Sequence, residues 1–272
     1  MKKLVYHLYV LDGFDNNPFA ICNKLCLKNY INVFDDATFF VSVDDIHDMA
    51  SIRSGIRFIE EVCGNVIKPN VFVVKNNKEL GEATTFNTCI LPMIELGLED
   101  YVFFGHCKGM TTNRDHEFTS LLKWVIIMYY YNLEFIYDVY ENFYNGKILY
   151  GSNLSDMSFI EVFKYFPSKT FYSGTFYWLN VKEIKKYYES TNIDIFYGND
   201  LWRYYAEEFP LYFFNEVKGS YKNNVITNPE MNDTYKMNEE FWNSYLLNID
   251  DELKCVPFIN EIIDKVININ KK

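Results

Sequence analysis

The chain has no surplus of basic residues: 26 Lys and Arg stand against 37 Asp and Glu, a formal charge of −11. That balance excludes a general nucleic-acid binder, which needs clustered cations to displace counterions from phosphates. The six cysteines contain no C-x-x-C pair. Scattered thiols exclude a structural zinc site and a disulfide framework, and they fit a reduced, cytoplasmic protein with buried sulfurs. Long apolar runs are also missing. The longest later run, Leu121 to Tyr131, carries Lys123 and falls well short of the roughly 20 residues that span a bilayer. No internal repeat and no low-complexity segment interrupts the chain.

What is present is apolar and aromatic. Hydrophobic residues make up 49% of the chain and aromatics 19%, too much to leave it disordered. A length of 272 residues fits one large α/β domain with an appendage. Leu4–Leu11 is apolar and β-prone, closed by Asp12-Gly13 and Asn16-Asn17-Pro18, and reads as a buried first strand. Phe19–Tyr30 has helical spacing, Ala37–Val43 reads as a strand, Ile46–Val62 as a helix and Asn70–Lys75 as a third strand. Glu79–Leu96 predicts a helix bent at Pro92, and Tyr101–Phe104 a fourth strand. Such alternation predicts a mixed, mostly parallel central sheet with helices on both faces and ligands at the carboxyl ends of its strands. Phe118–Phe143 predicts a long helix or helix pair, Lys147–Tyr150 a strand, Lys169–Leu179 strand-like aromatics around a glycine, and Asn199–Phe209 a short helix. The expected division is one α/β domain over 1–220 and a C-terminal helical extension over 221–272, packed on the same domain.

The fourth strand delivers Phe104-Gly-His-Cys-Lys-Gly109, and two glycines there allow close backbone approach. His106 and Lys108 suit an anion, and Arg114 could join them. Asp44-Asp45, at the end of another strand with His47 beyond, offers hard oxygens to a divalent ion or a cap to the next helix. Cys22 and Cys26 read as core. Glu207 and Glu208 read as a solvated helix face and second choices for a base.

The order of F-G-H-C-K-G, Trp124 on the following helix, Tyr172-Ser-Gly-Thr-Phe-Tyr-Trp178 and Asn199-Asp-Leu-Trp202 resembles a group of glycosyltransferase-like proteins. Their motifs run H-T-K-G, S-G-N-F-W-W and E-x-W. Cys107 replaces the usual Thr, Thr175 replaces Asn, and Asp200 stands where the group has Glu. The resemblance implies a GT-A type (Rossmann-like) fold and a hexosyltransferase that uses a nucleotide-diphosphate sugar. Such proteins serve capsule, lipopolysaccharide or rhamnan assembly, and some occur in large viruses. Many GT-A enzymes hold a metal with Asp-x-Asp at the end of the fourth strand; here His106-Cys107-Lys108 takes that place. The implied enzyme is therefore metal-independent, with no cofactor beyond its donor substrate, and a divalent metal is the disfavoured alternative.

In that reading His106, Lys108, Gly109 and Arg114 hold the diphosphate, and Asp200 is the base that deprotonates the acceptor. Ser173, Gly174 and Thr175 bind the sugar between Trp178 and Trp202, and His7 and Tyr9 of the first strand serve the nucleobase. The expected partners are a nucleotide sugar and a glycan or glycolipid acceptor, not a nucleic acid. Peripheral association with the inner face of a membrane stays open. A non-catalytic nucleotide- or carbohydrate-binding module of the same fold, and a metal-dependent transferase or hydrolase using Asp44-Asp45, are the competing readings.

Overall fold

The computed structural model describes residues 1–110, 118–152, 154–156, 170–172, 174–196, 205–213, 220–222 and 256–270. Strand β1 (Lys2–Val10) buries both faces, and its pleat separates two cores. Leu4, Tyr6, Leu8 and Val10 enter one hydrophobic cluster, and Val5 enters the other. His7 takes an odd position among these apolar side chains, so the alternation alone carries an imidazole into the interior. Sequence and structure agree on β1 to within two residues at each end.

Parallel strands β2 (Asp36–Val43) and β3 (Asn70–Lys75) extend the sheet on one side of β1, and β4 (Tyr101–His106) pairs in parallel on the other. Beyond β4 lie β8 (Tyr177–Asn180), β5 (Leu149–Ser152) and β9 (Ser220–Lys222), giving the order β3-β2-β1-β4-β8-β5-β9. Strand β8 runs antiparallel to both of its neighbours, so the expected mostly parallel sheet carries one reversed strand. A small antiparallel pair, β6 (Leu154–Asp156) and β7 (Thr170–Tyr172), stands apart from it.

Helix α1 (Pro18–Tyr30) starts where Asn17 accepts the Phe19 and Ala20 amides and Pro18 supplies a preset φ. Helix α2 (Met49–Cys63) starts at Asp48, which accepts the Ala50 and Ser51 amides. The cap is thus Asp48, not the Asp44-Asp45 pair. The segment between β3 and β4 lies on the opposite face and is helical from Ala83 to Leu96, starting later than expected and interrupted by a π turn. It runs as α3 (Ala83–Thr85), a π-helical stretch (Phe86–Ile90) and α4 (Leu91–Leu96). Pro92 has no amide hydrogen and its ring would strike the carbonyl four residues back. The wider π turn just before it accommodates both defects.

Helices α5 (Phe118–Leu133) and α6 (Ile136–Tyr144) form the helix pair, and α7 (Val181–Thr191) follows β8 under an Asn180 cap. Helix α8 (Tyr205–Glu208) continues into a 3-10 turn, and α9 (Ile259–Asn270) packs on α1 through Ile259, Ile262 and Val266. Among the described residues no helix is long and apolar enough to cross a membrane.

Two features of this frame locate a site. Strands β2 and β3 build outward from one side of β1 while β4 lies on the other, so the direction of winding changes between β1 and β4. Open α/β sheets bind ligands outside the carboxyl ends of the strands at such a point. The register there pairs His7 directly with His106.

Candidate functional site

His106 ends β4, and its ring sits between two elements. Its Nε2 donates to the Gly174 carbonyl at 3.2 Å, and its Nδ1 lies 4.0 Å from Glu82 Oε1. His7, its neighbour on β1, is buried and bonds Thr85 Oγ1 through Nδ1 at 2.8 Å. Glu82 and Thr85 come from the start of the broken helix. They sit three residues apart, so one helical turn presents both to the histidines.

Burial pushes the His7 imidazole down to about 4, against a raising influence from Glu82 and a further lowering one from His106. The ring is neutral at physiological pH, whereas in the unfolded chain it titrates near its ordinary value. The unfolded state therefore binds the extra proton between about pH 6.5 and 4, and stability falls as pH drops through that window. The full loss is about 3 kcal/mol. Urea unfolding at pH 7 and pH 4.5 is expected to show this loss, and a His7→Gln variant to show a correspondingly smaller one.

The turn between β7 and β8 is the meeting point. Gly174 has φ +95°, and a Cβ there would lie 2.5 Å from Met128 Sδ and 3.2 Å from a ring carbon of Trp124. Only glycine fits so close to α5. Thr175 also has a positive φ, +59°, which for a β-branched residue is strained backbone of the kind that collects at ligand sites. It is fully buried, and its hydroxyl has no hydrogen-bond partner among the described residues. The expected sugar-binding hydroxyl is thus not presented at the surface. The glycine lies in a turn between two short strands rather than inside one.

Lys108 follows in a turn, its ammonium 5.0 Å from the Trp124 ring centroid. The Asn23 side chain on α1 donates to the Lys108 carbonyl at 3.0 Å and to the Phe19 carbonyl at 2.7 Å. Asn23 Oδ1 accepts from Tyr129 at 2.9 Å, and the Tyr6 and Tyr129 hydroxyls lie 2.6 Å apart. A buried, mutually bonded Asn and two Tyr therefore tie the loop backbone to α1, β1 and α5. Gly109 has φ +88° and rests on the Phe19 ring. Cys107 is buried and its thiol pushed far up by desolvation, so it is no nucleophile.

Several expectations change. Glu208 is buried and Glu207 is half-buried, accepting the Gly174 amide at 2.7 Å; neither belongs to a solvated face. The Tyr177 hydroxyl donates to the Ala206 carbonyl, which holds α8 against β8 and aims Glu207. Trp178 is not a wall of the site. It is fully buried, stacks on Phe34 and donates to the Asn132 carbonyl at 2.8 Å.

Tyr9 donates to Asp44 Oδ1 at 3.0 Å, Asn76 donates to the same oxygen at 2.8 Å, and Lys78 lies 3.6 Å from Oδ2. These contacts, the Asn76 bond first, lower the Asp44 carboxyl below its usual range. Asp45 accepts the His47 amide. A metal would have to displace this set of partners. Arg114, Ser173, Asp200 and Trp202 lie outside the described residues.

The structure thus brings His106, Lys108, Trp124 and Gly174 together and adds Glu82, Thr85 and Glu207. His7 is visible in the sequence as the one imidazole in an apolar strand. Glu82 and Thr85 carry no local signal, because it is the sheet register and the π turn that bring them to His7 and His106. Compared with models of known protein families and with curated proteins, the chain matches none.

Proposed function

We propose that the protein is a GT-A type glycosyltransferase that moves a sugar from a nucleotide-diphosphate donor to a glycan or glycolipid acceptor in surface polysaccharide assembly. One observation carries the reading. His106 of the H-x-K-G motif and Gly174 of the S-G-x-F-x-W motif, 68 residues apart, share a hydrogen bond at the seam between β1 and β4, with Lys108 and Trp124 beside them.

Departure of a nucleoside diphosphate builds negative charge on the leaving oxygens, and fixed cations placed there stabilise the transition state. Lys108 supplies a partly buried ammonium lying over the Trp124 face, and His106 supplies an imidazole held at the strand end by the Gly174 carbonyl. Asp200 serves as the base in this proposal, and helix α8, which begins at Tyr205, is bonded to the Gly174 turn through Glu207. The engaged oxygens of Asp44 favour a diphosphate site without a metal over one built on Asp44-Asp45.

Incubation with UDP-, GDP- and dTDP-sugars in EDTA, reading nucleotide release, tests the proposal. Slow release from one donor class is expected, since transferases leak sugar to water. No release from any donor, with or without Mn²⁺, would favour the non-catalytic module.

A further inference from the structure

The proton content of His106 follows from what faces its two nitrogens. Nε2 points at the Gly174 carbonyl, which has no proton to give, so Nε2 carries a hydrogen. Nδ1 faces the Glu82 carboxylate at 4.0 Å, in a place where both side chains are only 12% and 13% exposed. A neutral ring would turn a lone pair toward that carboxylate, two acceptors in a partly desolvated pocket. A proton on Nδ1 converts the repulsion into an ion pair.

Among the described residues, Lys108 on the following turn is a cation and works against a second positive charge, while the other titratable groups do not. His7, beside it on β1, is neutral because it is buried. Tyr177 on β8 is kept neutral by burial and feels both Glu82 and Glu207. Glu207 on α8 adds a second carboxylate on the Gly174 side.

We infer that Glu82 is a positioning residue that keeps a proton on His106 Nδ1, so that the end of β4 presents a permanent imidazolium to the diphosphate of the donor. The identity of the anion rests on the proposed function; the proton does not. Glu82 acts through His106 and need not touch substrate.

The test is a pH titration of the ¹⁵N-labelled full chain, following the ring nitrogens of its four histidines with His106→Asn for assignment. His106 is expected to keep imidazolium shifts at pH 7.5. Glu82→Gln should lower its midpoint by about one pH unit or more, and Glu82→Asp should restore part of the shift. A His106 that titrates below pH 6.5 in the wild type overturns the inference, and so does a midpoint unchanged by Glu82→Gln. Wild-type titration alone decides if the variant does not fold. If the proton is found but UDP, GDP and dTDP all leave the His106 resonances unmoved, the proton assignment stands and the diphosphate reading fails.

Discussion

Replacing Lys108 by Ala is expected to slow donor turnover about 100- to 1000-fold, the effect of removing one preorganised charge from a developing anion. Folding should be nearly untouched. The ammonium's contact among the described residues is the Trp124 face, and a partly buried cation–π contact contributes about 1 kcal/mol. The loop backbone is held independently, by Asn23 on the Lys108 carbonyl. Lys108→Arg should recover much of the rate, because charge matters here more than shape. Steady-state turnover and thermal midpoints of the three proteins separate the cases. Unchanged turnover in the Ala variant would remove Lys108 from the chemistry, and a matching collapse of the midpoint would make it structural.

The largest stability effect is expected at Gly109. Its φ of +88° is costly for any residue with a Cβ, and that Cβ would lie 2.4 Å from Phe19 Cδ1. The Phe19 ring lies at the first turn of α1 and is buried in the core, which leaves it little room to retreat. Strain and overlap together should cost Gly109→Ala about 2–4 kcal/mol. For a chain of this size that lowers the midpoint by roughly 5–12 °C. Gly146 is the control, since it has φ +79° but nothing within 4 Å of a methyl added there. Gly146→Ala should therefore cost only the backbone strain, about 1 kcal/mol. Equal losses at both positions would show that contact with Phe19 contributes nothing.

Much of this fold is written locally in the chain. Apolar runs bounded by Asp-Gly and by the Asn17-Pro18 and Asp48 caps announce β1, β2, β4, α1 and α2, because those three strands are buried and those two helices carry their own start signals, whereas β3 is legible from its β-prone residues although it lies exposed at the sheet edge. The α3–π–α4 segment is legible only as a helix under tension from Pro92. How that tension is relieved depends on packing against Phe104 and Tyr205, which no local pattern encodes. The reversal of β8 is equally hidden, since its residues Tyr177 to Asn180 are buried on both faces and carry no sign of direction.

At the candidate site, His106, Lys108 and Gly174 stand out as polar or glycine residues where the pattern demands apolar ones. Trp178 misleads for the opposite reason: an aromatic in a motif looks like a binding surface, yet its indole N–H is satisfied inside the core. Charge alone makes Glu207 look solvated. Its partner is a backbone amide 33 residues away, which only the fold supplies.

The central claim is a nucleoside diphosphate site that works without a metal at the end of β4. Thermal shift of the wild-type protein with saturating UDP, GDP or dTDP, in EDTA and then in Mn²⁺, tests it most directly. The account predicts that one of the three stabilises the protein in EDTA, by about 2.7 kcal/mol at one hundred times its Kd, with no added effect of Mn²⁺. Stabilisation that appears only with Mn²⁺ would contradict it and move the site to a carboxylate cluster.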